Sequence, residues 1–430
     1  MSIRIAKGWV LAMCLFLGAT AWGGGAPVQA ENVTLTVQTW MGGTAGDFFE
    51  NEIFPEFEQK YGVEVVHIEA FGANYWDRLT SMTAAGQGPD VFFTTAFDLP
   101  GLVEGGLARS IQGLADRDKV DLSDFFPTAV EQYRLDGGLY AIPWDFGYRV
   151  LAYNRSLFDE HGLAEPPADW DDPGWTFADS AEAAKRLTLV DGEGKLLRVG
   201  LGFPHKGSID NVARGLTPWL YSNGARLLVE SNGSLATGLT DSRALDVLRF
   251  LQEQVVTRTM GPGWQAQFIN GQTAMQQTIP GTVALLQDSI TEFDWDIAPW
   301  PAGEAGRGTS GGGSGWVLAQ TSKHQELAWE LIKFVTSRDV QLRHMQTGAK
   351  AVARFSLART SEWRGDAPPS RMDVFAQAPE YVVYEPPTTA WSSYAQLVLD
   401  QLRDVWTGNR SPEQASAEIE RLASPILNGD

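Results

Sequence analysis

The chain holds one cysteine in 430 residues, Cys14. It lies in an N-terminal stretch that reads as an export leader. Arg4 and Lys7 precede an apolar run from Trp9 to Ala21, Gly23-Gly-Gly25 and Pro27 break it, and Val28-Gln-Ala30 supplies the small residues of a cleavage step. Cleavage there starts the mature chain near Glu31 and removes the cysteine. Disulfides, thiol nucleophiles and cysteine-ligated metals are then excluded. The run is too short to span a bilayer, and Met13 stands where lipid attachment to Cys14 wants a small residue.

Basic residues are also scarce. Without the leader, 31 Lys and Arg face 53 Asp and Glu, a balance that argues against nucleic acid and anionic membrane surfaces as partners. Histidine is rare and dispersed: His67, His161, His205, His324 and His344 have no metal-ligand spacing. There is no P-loop and no HExxH. Gly312-Gly-Ser-Gly-Trp316 is one glycine short of a nucleophile elbow, and Gly311 to Gly315 lacks the spacing of a dinucleotide fingerprint. No cofactor, metal or catalytic residue is therefore assigned. A carboxylate pair for glycoside hydrolysis is set by distance in space, so a secreted carbohydrate-active hydrolase stays open.

The apolar patterning is that of an α/β protein. Val33 to Val37 and Val63 to Ile68 alternate as strands, and Asp90 to Thr94 is a third. Apolar spacing predicts helices over Asp47 to Tyr61 and Tyr75 to Ala85 between them. This order predicts a parallel sheet with crossover helices, whose ligand sits outside the carboxyl ends of the strands. Further on, strands are predicted from Tyr148 to Tyr153, after Met275, from Phe293 to Pro301 and from Trp316 to Ala319. Helices are predicted over Phe177 to Leu187, Ala244 to Val256, Gln325 to Thr336, Ser393 to Trp406 and Pro412 to Leu422. Gly303 to Gly315 reads as a loop. There is no repeat and no low-complexity linker. The breaks at Pro143-Trp144, at Pro299 to Gly303 and near Ala349 each fall between well-formed elements, which suits two lobes joined by several passages of the chain.

Fourteen tryptophans remain beyond the leader, and Trp40, Trp144, Trp219, Trp264, Trp300 and Trp391 sit at expected loops or strand ends. An indole offers an apolar plate with a polar edge, suited to the C–H face of a sugar.

Several stretches resemble, in order, the sugar-type, maltose-binding-protein-like solute-binding proteins of ABC importers. They are Gly86-Gln-Gly-Pro-Asp-Val91, Gly105-Gly-Leu107, Gly138-Leu-Tyr-Ala-Ile-Pro143 with Tyr153-Asn-Arg-Ser-Leu-Phe158, Pro166-Pro167 with Trp170, Phe268-Ile-Asn-Gly-Gln-Thr-Ala-Met275, Gly311-Gly-Gly313, and Ala328 to Thr336. The resemblance implies a type II periplasmic binding protein fold: two α/β lobes, each a mostly parallel sheet flanked by helices, with three inter-lobe crossings. It implies an N-terminal lobe from 31–144 and 302–349 and a C-terminal lobe from 145–301 and 350–430. It further implies a monomeric, non-enzymatic periplasmic carrier that closes on a carbohydrate or polyol and delivers it to permease subunits. A glycerol-phosphate-type solute is an alternative, disfavoured by the acidic balance.

Carried onto this chain, the ligand contacts implied are Trp40, Gly43 and Thr44 after the first strand, then Asp98, then Trp144, Asp145 and Tyr148 after the first crossing. Asn211, Arg214 and Trp219 follow, then Gln277 and Gly281, Gly312 and Gly313, Arg354, and Trp391. In an extended segment neighbours face opposite ways, so at most one of Trp144 and Asp145 is expected to face the ligand.

Overall fold

The computed structural model describes residues 33–204, 209–231, 233–263 and 265–429. The expected leader and Trp264 lie outside them. The remaining chain forms two lobes, each built on its own sheet. The first sheet runs Glu64–Glu69, Thr34–Thr39, Val91–Thr94, Gly315–Leu318, Ala141–Pro143. The second runs Met260–Gly261, Leu196–Gly202, Thr273–Thr278, Val150–Asn154, Trp295–Ala298, with Leu189–Val190 added beside Leu196–Gly202.

Both sheets are mostly parallel, as expected, and each has one reversed strand in its main path. In the first, Thr34–Thr39 is parallel to both of its neighbours, while Gly315–Leu318 is antiparallel to both of its own. In the second, Leu196–Gly202 pairs in parallel with Met260–Gly261 and Thr273–Thr278, while Val150–Asn154 is antiparallel to both of its neighbours. The reason is the direction of entry. Gly315–Leu318 and Val150–Asn154 are the strands by which the chain enters a lobe from the other one. They start at the junction and run away from it, against strands whose carboxyl ends point toward it.

The junction is itself a small sheet. Gly147–Tyr148 pairs antiparallel with Thr309–Gly312, which pairs in parallel with Val382–Val383. The expected loop over Gly303 to Gly315 thus contains a strand. Its glycines permit a close approach of main chains: a Cβ on Gly313 would sit 2.2 Å from the carbonyl oxygen of Asp145. The expected continuous strand from Tyr148 to Tyr153 is divided at Arg149, because Gly147–Tyr148 belongs to the junction and Val150–Asn154 to the second sheet.

The chain after Ala349 changes partners along its length. Phe126 N donates to Ala353 O, Phe355 N donates to Asp124 O, and Arg354 bonds to Asp124 and to Thr336 O, so this stretch packs on the first lobe. From Pro368 the partners belong to the second: Gln287 donates to Pro368 O, Ser370 to Asp296, and Trp170 to Val374 O.

Local signals explain the helices that frame the sheets. Phe177–Leu187 opens on a capping box, in which Asp179 N donates to Thr176 Oγ1 and Asp179 accepts from Thr176 N, and it closes with Lys185 and Arg186 in its last turn. Pro412–Asn428 opens on a second box, Ser411 with Gln414. The expected helix over Asp47 to Tyr61 is present from Gly43 onward, with one wide π turn at Phe49–Ile53.

Gly315 shows how tightly the first sheet is fitted to the junction. It pairs with Thr94 on one side and Pro143 on the other. A Cβ there would lie 2.6 Å from Tyr133 Cζ and 2.8 Å from the Ala141 methyl. Gly315→Ala is expected to destabilise the protein by about 1–3 kcal/mol, the usual cost of overpacking. Urea unfolding followed by tryptophan fluorescence measures it, and an unshifted midpoint would refute the packing argument.

Candidate functional site

The strand ends that point at the junction enclose a cavity of about 280 Å³ between the lobes. Trp40, Thr95, Ala96 and Phe97 reach it from the first lobe. Arg149, Thr217, Tyr221, Ile279 and Gly281 reach it from the second, and Asp145, Gly147, Ser310 to Ser314 and Val383 to Glu385 form the junction side. Thr34–Thr39 and Val91–Thr94 stop where their sequences turn to Trp40 and to Thr95-Ala96-Phe97, which leaves those side chains at the mouth of the sheet.

Asp145 anchors the floor. Ser314 N donates to its Oδ1 at 2.6 Å, Ser314 Oγ donates to its Oδ2 at 3.3 Å, and Trp40 Nε1 donates to Ser314 Oγ at 3.1 Å. One serine thus ties the end of the first strand to the first crossing. Enclosure by protein pushes the Asp145 carboxyl up to about 6, partly offset by the bonds from Ser314. The neighbouring Tyr133 is buried, donates to Gly313 O at 2.8 Å, and has its hydroxyl pKa raised by burial and by the charge of Asp145.

Glu385 is a second carboxylate facing the cavity. It accepts from Tyr221 OH at 2.7 Å, from Leu227 N at 3.1 Å and from Leu228 N at 2.8 Å. Burial raises its pKa, and those three donors lower it in part. Arg149 is buried and its guanidinium donates to Ser310 Oγ at 3.3 Å, while Thr309 Oγ1 donates to the Arg149 carbonyl. The cavity therefore offers two carboxylates, a guanidinium and several aromatic faces, all set on fixed backbone. Among the described residues no group of metal-binding side chains gathers.

A second cavity, of about 310 Å³, adjoins the first across Ala96, Phe97, Tyr384 and Glu385. Glu131, Gln132, Arg134, Pro386, Pro387, Thr388 and Trp391 complete its lining.

Of the residues expected at the ligand, Trp40, Asp145, Gly281, Gly312 and Gly313 line the first cavity and Trp391 lines the second. Trp391 carries Phe97 on its face, with ring centroids 4.4 Å apart and planes 15° apart. The other expected contacts whose side chains are described line neither cavity. Trp144 packs edge-on against Phe49 and Trp316 and lies 4.9 Å from His344, inside the first lobe. The backbone alternation sends Trp144 inward and leaves Asp145 at the cavity. Tyr148 packs among Phe126, Phe146 and Phe375 behind the junction. Trp219 is buried against Phe177, Phe250 and Trp300. Gly43 and Thr44 begin the helix Gly43–Phe48 outside the lining. Asp98 accepts from Thr95 Oγ1 at 2.5 Å and precedes the helix Leu99–Glu104. Gln277 lies on the strand Thr273–Thr278, outside both linings. Arg354 caps Thr336 O and lies 3.8 Å over the Phe125 ring, on the first lobe and away from the cleft. Asn211 and Arg214 stand on the helix Ile209–Ser222, with side chains outside the described residues.

The residues that sequence reasoning missed are chiefly Phe97, Arg149, Tyr221, Ser314, Tyr384 and Glu385. Ser314 and Arg149 neighbour motifs that were read, and Tyr384-Glu385-Pro386-Pro387 carries a turn signal that marks a late return to the cleft.

Known proteins agree with this architecture. A putative binding protein of Brucella abortus is 24% identical over 413 residues, covering 93% of this chain and 94% of that one. The ABC substrate-binding protein of Listeria monocytogenes, solved in complex with cycloalternan, superposes with a TM-score of 0.76 at 21% identity, over 91% of this chain and 98% of that one. A solute-binding protein of Thermotoga lettingae, bound with α-D-tagatose, gives 0.75 at 22% identity, over 92% and 100%. The family model for bacterial extracellular solute-binding proteins matches residues 42–342, which is most of the chain, and the chain belongs to that family.

Proposed function

We propose that this protein captures a carbohydrate, a sugar or a polyol, in the cavity between its lobes, closes on it and passes it unchanged to the permease subunits of an ABC importer. The observation that carries this reading is the cavity floor. Aromatic side chains from both lobes, Trp40 and Tyr221, line it together with fixed acceptors, Asp145 and Glu385, and a buried guanidinium, Arg149. Hydroxyl donors match the carboxylates, ring oxygens and hydroxyls match the guanidinium, and C–H faces match the aromatic plates. Mixed apolar and convergent polar lining of this kind is what a small-solute site needs. The sugars bound by the structures of similar fold point the same way.

A solute held by both lobes favours the closed form through its differential contacts. The lobe division proposed here changes at Trp144, across 302–314 and between 358 and 368. Sheet membership and the Asp124–Arg354 contact support it. Action as a monomer outside the cytoplasm, after loss of the leader, completes the proposal.

Titration calorimetry of the purified protein against monosaccharides, polyols and short oligosaccharides tests the reading, with the sugar recovered and analysed afterwards. Binding with intact recovery is expected. Hydrolysed product would replace the carrier by an enzyme. Asp145→Ala is expected to bind the preferred solute at least about tenfold more weakly, the scale of one hydrogen bond to a charged group. Unaltered affinity in a folded variant would remove Asp145 from the site.

The raised Asp145 pKa sets a pH dependence of two signs. For folding, a carboxyl whose folded pKa lies above its unfolded value favours the folded state most at acid pH, and that advantage is lost as pH rises through about 6. For binding, the ionised form is the acceptor, so affinity should fall as pH drops below 6. Asp145→Asn should therefore gain stability relative to the wild type between pH 5 and pH 8, and its affinity should vary less with pH than the wild type's over the same interval, what slope remains belonging to Glu385. Thermal melts and calorimetry at the two pH values measure both. A variant that keeps the wild-type slopes would sink the assignment.

A further inference from the structure

The two cavities meet at one wall, and its parts are not equally fixed. Tyr384 is pinned through its hydroxyl, which donates to Thr128 O at 2.9 Å. Glu385 is pinned by Tyr221 and two backbone amides. Ala96 is main chain in the loop after Val91–Thr94 and offers only a methyl. Phe97 differs. It is a half-buried ring from the first lobe that spans the cleft to lie flat on Trp391, the first residue of the helix Trp391–Leu402 in the second lobe. It lines both cavities at once.

We infer that Phe97 sets the length of the solute. With its ring stacked on Trp391 it closes the first cavity toward the second, so the site takes a solute of one sugar ring or an open-chain polyol. A longer saccharide would have to displace the ring and run from the first cavity into the second. There Trp391 would offer the face that Phe97 now covers, and Glu131, Gln132 and Arg134 would supply polar partners. The loop that carries Phe97 is held at its base, where Thr95 Oγ1 donates to Asp98 and Leu99 N donates to Thr95 O. Turning the ring therefore needs side-chain rotation without moving the strand. This inference rests on the carbohydrate reading and concerns which members of that class fit.

The test is calorimetry on the full mature chain, with matched monosaccharides, their disaccharides and trisaccharides, and C4 to C6 polyols. The wild type is expected to prefer the single ring or the polyol over the disaccharide by at least about tenfold, the discrimination that a pocket wall commonly gives. Phe97→Ala should bring the disaccharide to within about threefold of the monosaccharide by gaining affinity for the longer solute. Phe97→Tyr, which keeps a ring in place, should retain the wild-type ratio. If the alanine variant does not fold, Phe97→Leu removes the flat ring while keeping an apolar side chain on the core, and the same shift is expected. A wild type that binds disaccharide as tightly as monosaccharide, or a folded Phe97→Ala or Phe97→Leu with the wild-type ratio, overturns the inference. Failure of the wild type to bind any saccharide or polyol overturns the carbohydrate reading itself, a different result from an unchanged ratio.

Discussion

The main chain at Gly313 lies against the main chain at Asp145 with no room for a β-carbon between them, and the arrangement of the cleft follows from that contact. Two passages between the lobes cross there. Trp144 N donates to Ser314 O at 2.8 Å, Ser314 N donates back to the Asp145 carboxylate, and Gly147–Tyr148 zips to Gly311 and Gly312. Pro143 supports the same geometry by ending the last strand of the first sheet without needing a further amide partner. The crossing fixes where each lobe begins, since Gly315 enters the first sheet one residue after Ser314 and Val150 enters the second one residue after Arg149. It also fixes the chemistry, because the groups at the crossing are the floor of the cavity.

Holding carboxylates at such a crossing costs stability, and the fold handles its two cases differently. Glu385 is compensated by three donors from its own lobe, so its position is structural as much as functional. Asp145 has the Ser314 amide and hydroxyl, and its carboxyl titrates near 6 as a result of enclosure. A carboxylate with acceptor capacity to spare, facing a cavity, is a preorganised partner for hydroxyl donors: the desolvation is already complete when the solute arrives. The large aromatic content serves the same end from behind. Trp144, Phe49, Trp316 and His344 pack into one block beneath the floor, and burial lowers the His344 pKa to about 4, so it stays neutral there.

The alternation of strands and helices and the family resemblance were legible because they depend on local period and on short motifs in order. Phe177–Leu187 is a case where periodicity alone gave the observed ends. The antiparallel sense of Gly315–Leu318 and Val150–Asn154 was not legible, since it depends on which side of the junction a strand starts. Nor was the strand Thr309–Gly312, because a run of glycines has loop propensity and only the close approach of a second main chain makes it pair. The site was half legible. A Trp near Pro, Gly or Asp was expected to mark a strand end, and that holds for Trp40 and Trp144, whereas Trp219 lies within the helix Ile209–Ser222; nor does sequence say which side of the backbone faces the cleft. Trp40 faces it, while Trp144 and Trp219 face the core. Arg354 went the same way: a cation near a lobe passage was expected to meet solute, and it instead closes Thr336 O and Asp124 on the first lobe.

Closure of two lobes on a solute requires free energy that distinguishes closed from open. Part of it here belongs to the protein. Phe97 on Trp391 and Tyr384 on Thr128 O join the lobes beside the cavity through contacts within the protein itself, so each favours the arrangement of the lobes seen here. The more the chain supplies, the larger the closed fraction before binding and the smaller the reduction of apparent affinity by the unfavourable pre-equilibrium. The same contacts limit what enters, since a solute that must break the Phe97–Trp391 stack forfeits the stabilisation the stack gave. Affinity for a short solute and discrimination against a long one are thus two consequences of a single aromatic contact between the lobes. That contact lies beside the Asp145–Ser314 crossing but is made of different residues, which leaves solute length and solute chemistry separable in the fold.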